Sequence, residues 1–551
     1  MRPGARFVVA AAALTAATFS AAARAAAPPP TATPTPAAHN PQENPEDVRA
    51  RLPRPTPMDT ETKFPPPQQA PDEEARTANA PSEETLLPGE RPVLLDGQPF
   101  PERRPYDPGF PRERRTRFVS IEAEGPGDGS LERPWKDLQQ ALCALEPGDR
   151  LVVASGIYTG SFRVAGTCRS GTKEAPIQVF ARHAFLKSGG GDVLTLERAH
   201  WQFWELQIAL LDSKVAGLTT RGPDAHDIAI DQTHVYEGNG PAVVIGGGSS
   251  RITVSNCHIH QSMGVRIEPG ASNVTLVNNH IHHNRAASVT VGDSATGSST
   301  TEGAATGSPG AAAPREIVIT GNRIHNDRGP ALDLAGCDGV AADRNRFSNY
   351  RPDEDDGAGG EAVRVGACRN VTFENNSVLE ASVAVRIGGP QDGTKAPEAV
   401  AFSRNYLQNK LTGDSTAFAV DAGRTIRLTN NVIDHYAEAF RISPGVRGLT
   451  VANNLVLSPK TAFSLGSRES VALFDYNVFS VDGSFSAVVA GASVDPAWMT
   501  RQMPRSRSAA EVGIVDGDLA KVRGFQPIDS GKAVDGTPFR GSAPDVGVAE
   551  H

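Results

Sequence analysis

The fold is decided by a short apolar phrase that recurs as Ile252-Thr253-Val254, Val274-Thr275-Leu276, Ile317-Val318-Ile319, Val371-Thr372-Phe373, Ile426-Arg427-Leu428 and Leu449-Thr450-Val451. Further copies begin at Ile228, Val340, Val400 and Val471, so successive copies lie 22 to 31 residues apart, with one step of 43. The long step contains a Gly/Ser/Thr/Ala-rich loop at 294–314. Short runs with alternating apolar residues are typical of β-strands. A fixed period of this size is typical of a solenoid with one repeat per turn.

An asparagine follows the first apolar position of most copies by five residues, and another apolar residue comes two positions later. The asparagines are Asn279, Asn322, Asn345, Asn376, Asn405, Asn431 and Asn454. Because the turns of a β-solenoid stack about 4.8 Å apart, inward asparagines can hydrogen-bond from turn to turn. The pattern predicts an all-β, single-stranded, right-handed parallel β-helix with three short strands per turn. A propeller would need repeats of about 40 to 45 residues.

The N-terminal 116 residues are predicted to lie outside the solenoid. Residues 1–26 have the charged start, apolar stretch and small-residue cleavage sites of a signal peptide. Residues 27–116 are predicted to be a disordered linker, because 22 of the 43 prolines lie between Pro28 and Pro111 and few residues there can be buried. We therefore expect a secreted, periplasmic or cell-surface protein in a compartment that permits disulfides.

The solenoid is predicted to span residues 117–483, with a C-terminal capping tail at 484–551. A helix at 135–145 is predicted to cap the N-terminal end, because an open end would expose apolar core and unpaired backbone. The formal net charge of −9 argues against a nucleic-acid partner. No apolar run after residue 26 is long enough for membrane insertion once the signal is removed. The oligomeric state is not predicted.

Several segments resemble the N-terminal cap of polysaccharide lyases related to chondroitinase B and alginate lyase, in the pectate-lyase-like superfamily. These segments are Gly127-Asp128-Gly129-Ser130, Pro134-Trp135, Pro147-Gly148-Asp149, Gly156-Ile157-Tyr158 and Ala175-Pro176-Ile177. The tail at 541–550 is similar to the terminal motif of many such exported proteins. The resemblance covers about residues 117–551 and implies the fold. It leaves the activity open, because members include lyases, uronate epimerases, hydrolases and proteins without known activity, and their catalytic motifs are mostly missing from this chain.

The resemblance implies that the functional groove lies on the outer face of the strand that ends each turn. The predicted outward column is Val244, Arg266, Thr290, Asp333, Arg364, Arg386, Ala419, Arg441 and Ser464, and the next column is mostly Gly, Ala or Ser. Like charges on adjacent turns are unfavourable unless an anion covers them, and the arginine fork suits carboxylates. An acidic, uronate-containing polysaccharide is therefore the predicted partner, with Arg266, Glu268, Asp333 and Arg441 binding it. Alternatively, Asp333 pairs with Arg364 and the other charges are only solvated.

Proton abstraction beside a uronate carboxylate needs a cation that neutralises charge, a base and an acid. Arg364 and Arg386 are the predicted neutralising groups, and Tyr350, or His435 with Tyr436, the predicted base or acid. The chain would then be a polysaccharide lyase or uronate epimerase. Two other hypotheses remain: a non-catalytic wall or matrix protein that binds glycans, and a structural solenoid on a stalk.

Metal binding is predicted at two places, each with an alternative. The run Asp353-Glu354-Asp355-Asp356-Gly357 offers carboxylates for Ca²⁺, or is a solvated acidic loop. Apart from metal ions at these two places, no cofactor is predicted. His234, His258 and His280 are expected to stack in one outward column, and His260, His282 and His325 in the next. Stacked imidazoles either hold a transition metal or decorate the surface.

The five cysteines leave at least one unpaired within a monomer. Cys337 and Cys368 occupy equivalent positions on successive turns, at a spacing that a disulfide accepts. Cys143 on the capping helix and Cys168 in the loop beneath it are expected to form a second bridge. Cys257 occupies an asparagine-ladder position and is expected to be buried and free.

Overall fold

Three strands in almost every turn of the chain build three parallel sheets in the computed structural model of the protein. The structure describes residues 115–211, 213–293, 312–352, 360–389, 396–410, 413–480, 486–509, 512–515, 518–523, 530–534 and 543–548, which belong to one compact unit. The predicted signal peptide, the linker up to residue 114 and the acidic run at 353–357 lie outside the described residues.

Each sheet has 14 strands, numbered here in chain order. Sheet 1 consists of β1 (Thr116–Val119), β2 (Arg150–Val153), β5 (Ile177–Phe180), β8 (Trp201–Trp204), β11 (His226–Asp231), β14 (Ser250–Ser255), β17 (Ser272–Val277), β20 (Arg315–Thr320), β23 (Asp338–Asp343), β26 (Arg369–Glu374), β29 (Glu398–Ser403), β32 (Arg424–Thr429), β35 (Leu449–Ala452) and β38 (Val471–Asp475). Sheet 2 consists of β3 (Gly156–Gly160), β6 (Ala184–Ser188), β9 (Gln207–Ala209), β12 (His234–Tyr236), β15 (His258–His260), β18 (His280–His282), β21 (Arg323–His325), β24 (Arg346–Tyr350), β27 (Ser377–Ala381), β30 (Tyr406–Gln408), β33 (Val432–Asp434), β36 (Leu455–Leu457), β39 (Val478–Ser480) and β42 (Arg507–Ala509).

Sheet 3 completes each turn and ends in one antiparallel strand, β41. It consists of β4 (Phe162–Val164), β7 (Leu194–Leu196), β10 (Leu218–Thr220), β13 (Val243–Ile245), β16 (Val265–Ile267), β19 (Val289–Gly292), β22 (Leu332–Ala335), β25 (Glu361–Val365), β28 (Val383–Ile387), β31 (Thr416–Val420), β34 (Glu438–Ile442), β37 (Thr461–Leu465), β40 (Ala487–Val489) and β41 (Ala492–Val494). β43 (Gly513–Val515) and β44 (Asp518–Arg523) form a separate hairpin. The helices in the described part of the chain are α1 (Leu138–Ala144), α2 (Pro496–Gln502) and a 3₁₀ turn at Arg468–Ser470.

The asparagine ladder lies inside the solenoid, at the corner between sheets 1 and 2. From Asn322 onward, each amide oxygen accepts hydrogen bonds from the backbone N–H and the side-chain amide of the preceding ladder residue, as Asn322 does from Asn279 at 2.9 Å for both bonds. An eighth member, Asn477, continues the ladder beyond the predicted set. It lies six residues after Val471 instead of five, because the pairing of β35 with β38 shifts register by one residue. The ladder satisfies corner backbone groups that the core would otherwise leave unpaired.

Helices cover both ends of the sheets. Helix α1 is shorter than predicted: Asp137 caps it by accepting from the backbone N–H of Gln140, and Trp135 instead forms a β-bridge with Val119. At the other end, α2 buries Met499. Strands β40 and β42, which come after residue 483, extend sheets 3 and 2. No helix of the described segments is long and apolar enough to cross a bilayer.

The C-terminal tail packs on the outer face of sheet 2. Val546 is buried there in a small apolar cluster with outward residues of the later turns, including Val432 and Leu455. The amide of Asn430 donates to the carbonyl of Asp545, and the N–H of Gly547 donates to the carbonyl of Asn453. The tail therefore covers the apolar part of this face, while the earlier turns of sheet 2 carry histidines.

The disulfide prediction is confirmed. Cys143 is bonded to Cys168, and Cys337 is bonded to Cys368. Cys257 is free and buried, and its N–H donates to the amide oxygen of Asn279 at 2.9 Å, which places it at the start of the asparagine ladder.

Candidate functional site

The outer face of sheet 3 carries the predicted column in the predicted register. Strand pairing aligns, turn by turn, Val244, Arg266, Thr290, Asp333, Arg364, Arg386, Ala419, Arg441 and Ser464. Arg364 and Arg386 therefore lie on neighbouring turns, at the position where repulsion was expected to require a covering anion.

That anion is supplied by the protein itself. Glu361 accepts from Nε of Arg364 at 2.9 Å through one oxygen and from Nε of Arg386 at 2.5 Å through the other. Asp421 accepts from Nη1 of Arg386 at 2.7 Å, and Asp333 lies 4.0 Å from Nη1 of Arg364. Burial alone would lower the pKa of Arg386, but the two carboxylates more than offset this and raise it. The pair is thus a set of positioned guanidinium groups in a locally compensated network.

Arg266 and Glu268 form a second charged group on this face. Nε of Arg266 lies 3.9 Å from a carboxylate oxygen of Glu268, and about a quarter of the Glu268 side chain is exposed. Burial raises the pKa of Glu268, while the nearby guanidinium groups of Arg266 and Arg221 oppose the shift. Arg441 is more exposed and lies 3.8 Å from Glu438.

Of the three side chains predicted to act as base or acid, Tyr350 and Tyr436 are buried and His435 is exposed. The hydroxyl of Tyr350 donates to Asp327 at 2.8 Å, and both Tyr350 and Tyr436 are only 1% exposed. Burial raises the pKa of each phenol further, so neither hydroxyl is presented to a polymer at the surface. His435 is exposed and contacts Asp434, but it lies on the turn of Arg441, two turns or about 10 Å along the axis from Arg386. The structure therefore brings none of the three beside the arginine pair.

A groove at the corner between sheets 2 and 3 holds residues that were not predicted. The corner groove has a volume of about 710 Å³ and is lined by His283, Asn284, Arg285, Asn326, Asp327, Arg328, Asn349 and Arg351. Its three arginines, the arginine column, are exposed and follow equivalent residues of β18, β21 and β24, which pair in consecutive turns. Arg351 donates to Glu380 at 2.8 Å, and Arg285 donates to Asn239.

Asp327 is the one carboxylic acid among the described residues that line the corner groove. It is buried, and its oxygens accept from Asn284 and from the hydroxyl of Tyr350. Burial raises the pKa of Asp327 to about 7 against these hydrogen bonds. Near neutral pH the acid is therefore partly protonated, and the charged groups among the exposed lining residues that the structure describes are mainly guanidinium groups.

A second groove of about 680 Å³ follows the outer face of sheet 1. Its floor is formed by small or β-branched residues such as Thr253, Thr275 and Val318. Asp227 and Arg251 on its rim bind each other at 2.8 Å, so this groove has no comparable excess of positive charge.

Comparison with known families agrees with the geometry. Residues 212–313 and 269–479 match the family described as right handed beta helix region. The chain is a right-handed parallel β-helix. No curated protein sequence matches the chain.

Solved β-helix structures are similar to this β-helix at low sequence identity. The alginate lyase from Paenibacillus sp. str. FPU-7 is 16% identical over 56% of this chain and 99% of that chain, with a TM-score of 0.39. The A-module of the Azotobacter vinelandii mannuronan C-5 epimerase AlgE6 is 14% identical over 68% and 95%, with a TM-score of 0.41. The Streptococcus pneumoniae surface protein and adhesin PfbA is 12% identical over 64% and 94%, with a TM-score of 0.39. At these identities the likeness concerns the fold.

The histidine columns of the β-helix lie on the outer face of sheet 2, as predicted. His234, His258 and His280 pair in register on β12, β15 and β18, and His282 pairs with His325. The predicted Ca²⁺ loop at 353–357 lies outside the described residues, so calcium binding there stays a prediction.

Proposed function

We propose that this β-helix binds an acidic, uronate-containing polysaccharide along the corner groove and the adjoining outer face of sheet 3. The observation that carries the proposal is the arginine column, Arg285, Arg328 and Arg351, which lines one groove on three consecutive turns. Arginine side chains at a repeat of about 4.8 Å suit a polymer whose carboxylates also repeat along a chain.

The charge of the corner groove supports an anionic ligand more than a neutral one. Among its described lining residues the only carboxylic acid, Asp327, is buried and has a raised pKa, whereas the three guanidinium groups are exposed and Arg351 also pairs with Glu380. The net charge of the chain is −9, so this patch differs in sign from the molecule as a whole. Locally positive grooves on acidic proteins concentrate anionic ligands by focusing the field.

The outer face of sheet 3 would extend the binding surface. Each arginine of the corner groove is followed along the chain by an outward residue of sheet 3: Asp333 lies five residues after Arg328, and Arg364 lies 13 residues after Arg351. Arg386 uses Nε and Nη1 for Glu361 and Asp421, which leaves its Nη2 without a hydrogen bond among the described residues. We expect Nη2 to donate a hydrogen bond to the ligand. The gain in binding free energy should be modest, because Glu361 and Asp421 already balance the charge of this guanidinium.

Binding measurements on three variants test the proposal. The triple variant R285Q/R328Q/R351Q should bind polygalacturonate or alginate roughly 10- to 100-fold more weakly, at about 0.5–1 kcal/mol for each lost charged contact. Its matched control is R163Q/R169Q/R182Q, which removes three exposed arginines elsewhere and changes the net charge equally. Replacing Arg364 and Arg386 by Ala should weaken binding less.

The losses should be larger for acidic than for neutral polymers such as dextran, and should shrink as salt is added. If the column variant and its control bind an acidic polymer equally well, the corner groove is not the binding surface. If neutral and acidic polymers lose affinity alike, the groove recognises hydroxyl groups instead of carboxylates.

A lyase or epimerase activity is a second candidate, favoured by the placement of Glu268 beside Arg266. This pair offers a carboxyl with a raised pKa and a guanidinium 3.9 Å away, which can serve as one proton-transfer group and as the neutralising group of the reaction. An absorbance assay for unsaturated uronate across a polysaccharide panel detects cleavage by elimination, and proton exchange with solvent at C5 detects epimerisation. Activity that E268Q abolishes while binding persists would support catalysis, and inactivity of the wild type on all polymers would leave the binding function alone.

Export to the periplasm, the cell surface or the medium is part of the proposal. It rests on the N-terminal 26 residues and on the two disulfides, which persist in oxidising compartments. N-terminal sequencing of the protein isolated from its native compartment should show cleavage near residue 26. A retained Met1 in a cytosolic fraction would contradict export.

A further inference from the structure

Six histidines form a two-column array on the outer face of sheet 2, called here the histidine array: His234, His258, His260, His280, His282 and His325. Rings within a column are stacked, as His234 is on His258 with centroids 4.7 Å apart and planes 6° apart. Diagonal neighbours approach through their Nε2 atoms. The three Nε2–Nε2 distances are 2.8 Å for His234 and His260, 2.7 Å for His258 and His282, and 2.9 Å for His280 and His325.

These distances suit two arrangements. Neutral imidazoles can share a proton in an N–H···N hydrogen bond of this length. Two imidazole nitrogens bound to one metal at about 2.0–2.1 Å are separated by about 2.9–3.3 Å for bond angles between 90° and the tetrahedral value. The three diagonal pairs are thus within a few tenths of an ångström of the nitrogen–nitrogen spacing of two ligands on one metal.

The array offers two triads whose ligand atoms lie within 4.8 Å of one another: His234, His258 and His260, and His258, His280 and His282. Burial, followed by the influence of the neighbouring imidazoles, lowers the pKa of His234 to about 3 and that of His258 to about 4. The rings are therefore neutral at neutral pH, which is the form that binds a metal without first losing a proton.

The geometry points to a binding site for one late first-row divalent metal ion, of the Zn²⁺ and Cu²⁺ class, at His234, His258 and His260. Three imidazoles with an open fourth position match the ligand sets that such ions prefer over the oxygen ligands chosen by Ca²⁺ or Mg²⁺. His258 belongs to both triads, so the two sites cannot be filled independently.

The surroundings favour the first triad over the second. Nδ1 of His260 lies 3.2 Å from the amide oxygen of Gln261, which orients the ring and assigns the proton to Nδ1, leaving the Nε2 lone pair for a metal. His280, in the second triad, is influenced by the guanidinium of Arg323, which pairs with it in register on the next strand. A cation at the second triad would therefore lie closer to a fixed positive charge.

A third cluster of possible ligands consists of His200, His226 and Asp227, but the carboxylate of this cluster is already occupied. Both oxygens of Asp227 accept hydrogen bonds from Arg251 at 2.8 Å. A metal there would have to displace an arginine, so we place no site at this cluster.

Equilibrium dialysis of the untagged, folded chain against Zn²⁺, followed by elemental analysis, tests the site. We expect one equivalent of tightly bound Zn²⁺ in the wild type and in the control H183Q, whose histidine is exposed and outside the array. H258Q should weaken binding at least about 100-fold because it removes a ligand from both triads. H234Q, which touches only the first triad, should weaken it at least about 10-fold.

Co²⁺ provides a second readout, because its visible absorption reports the number and type of its ligands. The wild type should give the visible absorption of a four- or five-coordinate nitrogen-bound Co²⁺, and H258Q should give that of the hexahydrated ion. Should H258Q fail to fold, H234Q decides by both measurements. Zn²⁺ binding that is equal in wild type and H258Q, or absent from the wild type, would overturn the proposal and leave the array as a hydrogen-bonded stack of neutral rings.

Discussion

Replacing Asp327 by Asn should change how the stability of the β-helix depends on pH. Asp327 is buried at the corner between sheets 2 and 3, where one oxygen accepts from the backbone and side-chain amides of Asn284 and the other from the hydroxyl of Tyr350. Asparagine has nearly the same shape. Its carbonyl can accept from Asn284, and its NH₂ can donate to the phenol oxygen, so the corner should remain intact.

The magnitude follows from the pKa of Asp327, which burial raises from its ordinary value of 3.8 to about 7. Below pH 3.8 the native and unfolded states both hold the proton. Between pH 3.8 and 7 the unfolded chain releases it while the native protein keeps it, so the free energy of unfolding falls as pH rises, by about 4 kcal/mol in all. Roughly 3 kcal/mol of this change falls between pH 4.5 and 7.5.

Denaturant unfolding at pH 4.5, 5.5, 6.5 and 7.5 measures the effect as the difference in the free energy of unfolding between wild type and D327N. The contributions of the other titrating groups are common to both proteins and cancel in this difference. From pH 4.5 to pH 7.5 the free energy of unfolding of D327N should rise by about 3 kcal/mol relative to that of the wild type. Y350F is the control: it removes the phenol but keeps the acid, so it should retain the pH dependence with an offset of about 1 kcal/mol. A difference between wild type and D327N that does not vary with pH would refute the buried, protonated acid.

Four further predictions concern the packing of the β-helix. Asn376→Ala leaves buried donors of the preceding ladder residue without an acceptor and should cost about 2–4 kcal/mol in denaturant unfolding, against less than about 0.5 kcal/mol for the exposed Thr372→Ala. Replacing the pair Cys337–Cys368 by serines should cost about 2–4 kcal/mol. Cys257 is buried with its pKa raised by burial to about 12, so a thiol reagent should label one cysteine only after unfolding; labelling of the native protein would contradict this. Val546→Asp should detach the tail from sheet 2 and increase hydrophobic-dye binding, and unchanged dye binding would show that the tail is not needed as a cover.

The turn-by-turn register of the fold was predictable from sequence because strand residues alternate strictly and an inward asparagine marks one corner. The same rule, carried one corner further, would have placed Tyr350 correctly. Ser262, Asn284, Asp327 and Tyr350 each follow an inward apolar residue by three positions, and all four are buried. Tyr350 was predicted to be available for chemistry because its corner was treated as a surface loop.

The candidate site was less predictable than the fold. The arginine column was visible in the sequence, since Arg285, Arg328 and Arg351 each follow an inward apolar residue by four positions. The role of Glu361 was not visible, because the segment between Arg351 and β25 is longer than in the neighbouring repeats. The repeat length therefore does not give the position of Glu361 relative to the arginines. Which carboxylate meets which guanidinium also depends on the reach of long side chains between turns, and no periodic pattern encodes that.

Hydrogen–deuterium exchange with and without a bound oligouronate shows where on the β-helix the polysaccharide binds. Backbone amides at 283–285, 326–328 and 349–351, which line the corner groove, should be protected, as should those of β25 and β28 beside it. The groove of sheet 1, sampled at 251–253, 273–275 and 316–318, should exchange unchanged. Protection confined to the sheet 1 groove, or a saturating ligand that protects neither surface, would contradict the proposed binding site.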